Sequence, residues 1–345
     1  MLVSAELGRT TQIDADKVSR GAYFTTDAAW LNETVEGFLR AALAAKSGRV
    51  LDPFAGDGHL LELVESRLGA RTAGLDIAGG RWPVNDSLQG LPAEARDAVI
   101  VTNPPYLANH SASRKGVASL AAEYFAASAQ DNLYKIALDV CLAAADYVVA
   151  VIPETFLLSG YPADRLVLAS VIESPLFADT DAPALVACFG PAGSNAGQQI
   201  LLGNKPVATL PELQRIRARN SHRPAHSSIV FNKPDGRIGL RAVDAADTKN
   251  PIQFYLAADF GYPTAKVRHS SRLMTYLEVP QLEDAEVGDL IAVANRLLGE
   301  IRASSGDLVL APFKGNDKNG KRRRRLDYAL ARKILELALP SVSKL

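Results

Sequence analysis

The 345-residue chain carries 38 Lys and Arg against 38 Asp and Glu, with 48% apolar and 22% charged residues. That length buries a substantial core and suits two domains. No apolar run approaches the roughly 18 residues of a membrane span, and the first residues lack the basic-then-apolar order of a signal peptide, so a cytoplasmic protein is expected. The two cysteines, Cys141 and Cys188, lie inside apolar runs, which argues against a disulfide framework or a cysteine-rich zinc site; no metal is expected. The neutral total conceals an asymmetry: residues 1–199 hold 14 basic against 23 acidic side chains, and residues 200–345 hold 24 against 15. A basic half beside an acidic one fits a protein that grips a polyanion with one end and a small molecule with the other.

In chain order, short apolar strands at 49–51, 72–76, 98–102, 147–152 and 184–189 alternate with stretches of helical spacing, among them 60–68 and 133–145. This alternation predicts a doubly wound α/β domain with a mainly parallel sheet, whose ligands sit beyond the carboxyl ends of the strands. After the first strand comes Asp52-Pro53-Phe54-Ala55-Gly56-Asp57-Gly58, a glycine turn leading into a helix. Such a turn lets backbone approach a nucleotide-like ligand, although a plain tight turn looks the same. Asp76, followed by Ile77, ends the second strand about 20 residues on, where a carboxylate accepts ribose hydroxyls. A pyrophosphate-binding G-x-G-x-x-G and a P-loop lysine are both absent, which favours adenosine without phosphate over NAD or ATP. Asp86, with Ser87, is a candidate acceptor for an adenine amine and equally a turn or cap residue.

The third strand runs into Asn103-Pro104-Pro105-Tyr106. Consecutive prolines fix φ and supply carbonyls without amide donors, making a stiff loop rich in acceptors. The Asn103 side-chain oxygen and the Pro104 carbonyl can bind both hydrogens of a planar amine, bonds that strengthen as the nitrogen gains positive charge. Tyr106 offers a face for a planar base, and a base within a duplex would have to be flipped out to reach it.

The turn-rich stretch 190–197 falls where the charge balance changes sign, which divides the chain into a catalytic domain, 1–195, and a basic domain, 196–345. Within the latter, residues 314–325 hold seven basic side chains, among them Lys321, Arg322, Arg323, Arg324 and Arg325, in what reads as a loop suited to phosphates. Residues 219–223 and 266–272, the latter with Arg268 and Arg272, are secondary candidates for DNA contact, where a bidentate Arg can read guanine; sequence does not decide which arginines meet bases. Arg114 and Lys115, in the long stretch after the tetrad, are further candidates for DNA backbone.

These motifs resemble the gamma class of amino-methyltransferases that act on adenine in DNA, many of which accompany restriction enzymes. The match rests on three elements in class order: Gly21-Ala22-Tyr23-Phe24-Thr25-Thr26, the 52–58 loop and the 103–106 tetrad. Residues 131–134 and 151–156 are similar to weaker class motifs. Thr26 stands where the class has Pro, and Phe54 and Asp57 are permitted variants. The resemblance implies a seven-stranded-type methyltransferase sheet followed by a C-terminal DNA-recognition domain, with S-adenosylmethionine as cofactor. It places Tyr23, Phe24, Thr25, Thr26, Asp52, Phe54, Ala55, Gly56, Gly58, Asp76, Ile77, Asp86, Ser87 and Asn103 around that cofactor, and Asn103, Pro104, Tyr106 and Phe177 around a flipped base. The implied activity is transfer of a methyl group to N6 of adenine at a specific sequence in double-stranded DNA by a monomer, with a restriction endonuclease sharing the target without direct contact. RNA adenine and protein glutamine are the alternative acceptors.

Overall fold

The computed structural model describes residues 28–109, 118–174, 176–177, 182–193, 197–218, 229–269 and 271–342. Eight strands form one sheet: β1 (Arg49–Asp52), β2 (Arg71–Gly74), β3 (Val99–Thr102), β4 (Tyr147–Pro153), β5 (Leu166–Val171), β6 (Ala184–Phe189), β7 (Gln199–Leu202) and β8 (Lys205–Thr209), in the order β2-β1-β3-β4-β6-β5-β7-β8. β1 pairs in parallel with β2 and β3, β3 with β4, and β5 with β7; the β5–β6 and β7–β8 pairs are antiparallel. β3 and β6 are buried at every position, as a strand covered on both faces requires. Their sequences are accordingly near-continuous apolar runs.

The molecule is thus mixed α/β with a mainly parallel central sheet, but with eight strands rather than seven. The stretch 190–197 connects β6 to β7, and β7 pairs with β5 in the register Leu168↔Gln199, so the sheet crosses the expected boundary at 195. Turn-forming residues mark a strand connection as readily as a domain linker.

Two compact units divide the chain differently: one holds Arg40–Ala150 with Ala28 and Phe177, the other Ala29–Leu39, Val151–Leu176 and the chain from residue 182 onward. Helices α1 (Glu33–Ala45), α2 (His59–Leu68), α3 (Ala118–Ala126) and α4 (Leu133–Ala144) belong to the first half of the sequence. Asn132 caps α4 by accepting from the Tyr134 amide, and α4 buries Leu133, Tyr134, Ile136, Ala137, Leu138 and Cys141. Between β2 and β3 the described backbone has no α-helix, but turns, an isolated Asp76↔Val84 bridge and a 3-10 helix at Ala93–Asp97. Among the described residues no helix is long and apolar enough to cross a membrane.

The second unit continues with α5 (Leu210–Ala218), β9 (Val230–Phe231), β10 (Ile238–Arg241), β11 (Gln253–Leu256), α6 (Ala257–Phe260), β12 (Met274–Glu278), α7 (Val287–Ser304), β13 (Ala311–Asn316), β14 (Arg322–Arg325) and α8 (Tyr328–Ala338). β9 to β12 form an antiparallel sheet ordered β11-β10-β12-β9. One set of alternate side chains, including Leu240, Phe254 and Leu277, joins Leu290, Ala294, Ile334 and Leu335 of α7 and α8 in a core. The other set packs Tyr276 with Phe260 and Val267. Gly239 makes room for this second cluster, because a Cβ there would stand 2.4 Å from the Phe260 ring.

Candidate active site

The carboxyl ends of β1, β2 and β3 converge in the first unit. Asp52, last in β1, is wholly buried, and its Oδ1 accepts from the Phe54 amide at 2.9 Å and the Thr102 hydroxyl at 2.7 Å. Thr102 ends β3 and immediately precedes Asn103, so this one bond ties the glycine loop to the tetrad. Asp52 Oδ2 is buried without a hydrogen-bond partner among the described residues. Burial, offset in part by the two hydrogen bonds and reinforced by Asp76, pushes the Asp52 carboxyl up to about 7.

Asp76, at the turn following β2, accepts the Gly56 amide on Oδ2 at 3.0 Å and the Ala78 amide on Oδ1 at 2.8 Å. A carboxylate has about four lone-pair sites, so two backbone bonds leave acceptor capacity. Ile77 beside it is 57% exposed, an apolar side chain available to a flat ring. The positive φ open to glycine is present at Gly56 and Gly58, and Gly58 and Gly74 answer a further packing requirement. Trp82 donates Nε1–H to the Gly56 carbonyl at 2.8 Å, and a Cβ on Gly58 or Gly74 would meet the Trp82 ring at 2.8 or 2.6 Å. At Gly58, φ is +89°. Room for Trp82, with Arg81 laid over its ring, is therefore what these two positions require.

Asp86 and Ser87 also lie in this unit. Asp86 Oδ2 accepts from Gln89 at 2.7 Å and from the Tyr124 hydroxyl of α3 at 2.8 Å. Burial and the Asp86 carboxylate push the Tyr124 phenol up to about 12. Ser87 is buried and accepts from Asn85.

In the tetrad, Pro104 is buried, and Asn103, Pro105 and Tyr106 are half-buried. The Tyr106 hydroxyl donates to Asn103 Oδ1 at 2.6 Å. The following residues are stapled to the start of α4 by Leu133 N–H to the Leu107 carbonyl, Asn109 N–H to the Asp131 carbonyl and an Ala108↔Asn132 bridge. The Tyr106 ring lies edge-on to Tyr134, at 6.4 Å, and to Phe177, at 6.1 Å. The structure thus brings together Asp52, Phe54, Ala55, Gly56, Gly58, Asp76, Ile77, Asp86, Ser87, Asn103, Pro104, Tyr106 and Phe177 in one compact unit. Tyr23, Phe24, Thr25, Thr26, Arg114 and Lys115, with residues 219–223, lie outside the described residues.

Thr102, Tyr124, Tyr134 and Trp82 were missed as site residues. Tyr134 stands in a segment already similar to a class motif, which was a usable signal; the other three make their contacts over separations that no local pattern carries.

The basic run is a loop only at 317–321, which connect two strands. Residues 311–325 form the β13–β14 hairpin, and the side chains of β14 alternate. Arg322 and Arg324 are 6% and 2% exposed, and Arg324 pairs with Glu154. Arg323 donates Nε–H to the Asp244 carbonyl at 2.8 Å and lies over the Phe313 ring, while Lys321 pairs with Asp307 at 2.7 Å. Arg322 and Arg324 are thereby removed from the expected phosphate contacts, because their side chains serve the interior. Arg325 is half-buried, and Arg268 and Arg272 are exposed.

The donor set fits S-adenosylmethionine. A buried carboxyl oxygen with no partner suits a cationic group, whose charge would hold Asp52 ionised, and Asp76 and Ile77 offer a diol acceptor and an apolar surface. In the free protein the sign is fixed by the raised value: Asp52 contributes stability fully below its ordinary range near 4 and loses it as pH rises through about 7. Asp52→Asn is expected to flatten that part of the decline in melting temperature between pH 4 and 8. An unchanged profile in the variant would exclude Asp52 as the titrating group.

No protein-family model and no curated protein matches the chain. Solved structures similar to parts of it include the type IIG restriction endonuclease BpuSI, at 16% identity and TM-score 0.38, covering 61% of this chain and 31% of that one. Another is a type I restriction-modification methyltransferase subunit from Streptococcus thermophilus, at 13% identity and TM-score 0.36, covering 58% and 54%. A third is the type I restriction enzyme EcoKI M protein, at 15% identity and TM-score 0.29, covering 43% and 41%. The chain thus spans about a third to a half of these proteins, and at such TM-scores the likeness carries no inference about activity.

Proposed function

We propose that this chain is an S-adenosylmethionine-dependent methyltransferase that modifies N6 of a flipped-out adenine at a specific site in duplex DNA, as the modification partner of a restriction system. The observation carrying the proposal is the tetrad at the carboxyl end of β3, tied through Thr102 to buried Asp52 at the end of β1. Asp52, Asp76, Ile77 and Asp86 would hold the cofactor, with Tyr23 to Thr26 and Ser87 assigned to the same site by resemblance. S-adenosylmethionine, when bound, supplies a methyl group on a positively charged sulfur.

Asn103 and the Pro104 carbonyl accept the two amine hydrogens, and both interactions strengthen as the nitrogen becomes tetrahedral and positive. Tyr106 receives the face of the base, with Phe177 and Tyr134 supporting its ring edge-on. Such a base–aromatic contact contributes about 1–3 kcal/mol. The excess of basic residues after position 200 supports a polyanionic substrate.

Purified protein incubated with methyl-labelled cofactor and an equal choice of duplex DNA, RNA and protein is expected to label DNA alone, as N6-methyladenine. Label on RNA adenine or protein glutamine would replace the substrate while keeping the chemistry. Label on none of them would overturn both.

A further inference from the structure

The geometry points to residues 261–273 of the second unit, described except for position 270, as the surface that grips the phosphate backbone of duplex DNA, with Lys266, Arg268 and Arg272 as its contacts. This inference rests on the reading of DNA as the substrate and assigns it a binding element. The segment contains no acidic residue. Lys266, Arg268, His269 and Arg272 are all exposed, and Lys266, Arg268 and Arg272 make no ion pair among the described residues.

Several other cations of the same unit are already matched to carboxylates. Arg217 pairs with Asp327, Arg237 with Glu278 and Asp284, Arg302 with Asp244 and Asp307, Lys321 with Asp307, and Arg324 with Glu154. A cation already matched to a carboxylate gains little by meeting a phosphate, whereas an exposed unmatched one releases counterions from the nucleic acid.

The segment is also held in shape. The Tyr276 hydroxyl donates to the Tyr262 carbonyl and the Asn232 amide to the His269 carbonyl, each at 2.6 Å, and the Tyr328 hydroxyl donates to the Ser271 carbonyl. Arg268 and Ser271 close a turn through two hydrogen bonds, Arg268 N–H to Ser271 Oγ at 2.8 Å and Ser271 N–H to the Arg268 carbonyl at 2.9 Å. Val267 anchors it from beneath, packed with Phe260 and Tyr276. Cations presented on a backbone pinned at several points lose less conformational freedom on binding than cations on a free arm.

The test is the salt dependence of binding to duplex DNA. Each phosphate contact contributes about 0.9 to the slope of log affinity against log salt, so R268A/R272A is expected to lower the slope by about 1.8. R268K/R272K is expected to restore it at an unchanged melting temperature. The charge-matched K233A/K321A, whose ammonium groups are already paired with Asp235 and Asp307, is expected to leave it unchanged. A slope equal to that of the unmodified protein in R268A/R272A, or equal flattening by both alanine pairs, would overturn the assignment while leaving the DNA reading intact. Absence of salt-dependent DNA binding by the unmodified protein would sink that reading and this one together. Tighter, loop-dependent binding of duplex RNA would overturn the commitment to DNA.

Discussion

Asn103→Ala is expected to lower methyl-transfer turnover by roughly 100- to 1,000-fold, the usual loss when one preorganised hydrogen-bonding group is removed from a developing charge. The reasoning is local. Asn103 follows Thr102, whose hydroxyl is locked to Asp52, and its Oδ1 is oriented by the Tyr106 hydroxyl at 2.6 Å. The acceptor is therefore positioned before any base arrives. Because the substitution leaves Asp52, Asp76 and Ile77 in place, cofactor affinity measured by calorimetric titration should be unchanged. A variant with normal turnover would remove Asn103 from the chemistry. One that loses cofactor binding in parallel would leave Asn103 only the cofactor role that the resemblance also gives it.

The largest effect on stability is expected at Glu154. It follows β4, is 2% exposed, and pairs with the equally buried Arg324 from a position 170 residues away. Glu154 Oε2 and Arg324 Nε have no hydrogen-bond partner among the described residues, so the two charges depend on each other. Glu154→Ala leaves a buried guanidinium without its counter-charge, which costs about 3–5 kcal/mol. Replacing both, as Glu154→Leu with Arg324→Met, is expected to recover most of that loss, since a buried pair is often no better than apolar side chains of similar volume. Denaturant unfolding of the two single variants and the double variant measures the coupling. A Glu154→Ala cost within about 0.5 kcal/mol, the ordinary range for surface changes, would show that the pair does not hold this hairpin.

The parts of the fold legible in the sequence were those with a local cause. The strands containing Val99 to Thr102 and Ala184 to Phe189 are fully buried apolar runs bounded by turn residues, and α4 announces itself by spacing and by Asn132 at its cap. The tetrad was legible because few residue combinations supply two acceptors and an aromatic face at a strand end.

What remained hidden depends on residues far apart in sequence. Thr102 and Asp52 lie 50 residues apart, and nothing near either one signals the bond. The glycine loop was legible, but not that a Cβ at Gly58 would meet the Trp82 ring. The run 314–325 reads as a charged loop because charge counting cannot see that β14 turns every second side chain inward, toward partners such as Glu154. The exposure of Lys266, Arg268 and Arg272 is likewise invisible to charge counting. The pairing of β7 with β5, which joins residues on either side of the expected boundary at 195, is likewise a long-range fact.

The most direct measurement is to express the chain in cells lacking adenine methylation and sequence their DNA with detection of modified bases. N6-methyladenine confined to one recurrent sequence, present with the unmodified protein and absent with Asn103→Ala, is the predicted result. Unmodified adenine throughout, from cells in which the folded protein accumulates, would contradict the assignment of adenine in DNA as the methyl acceptor.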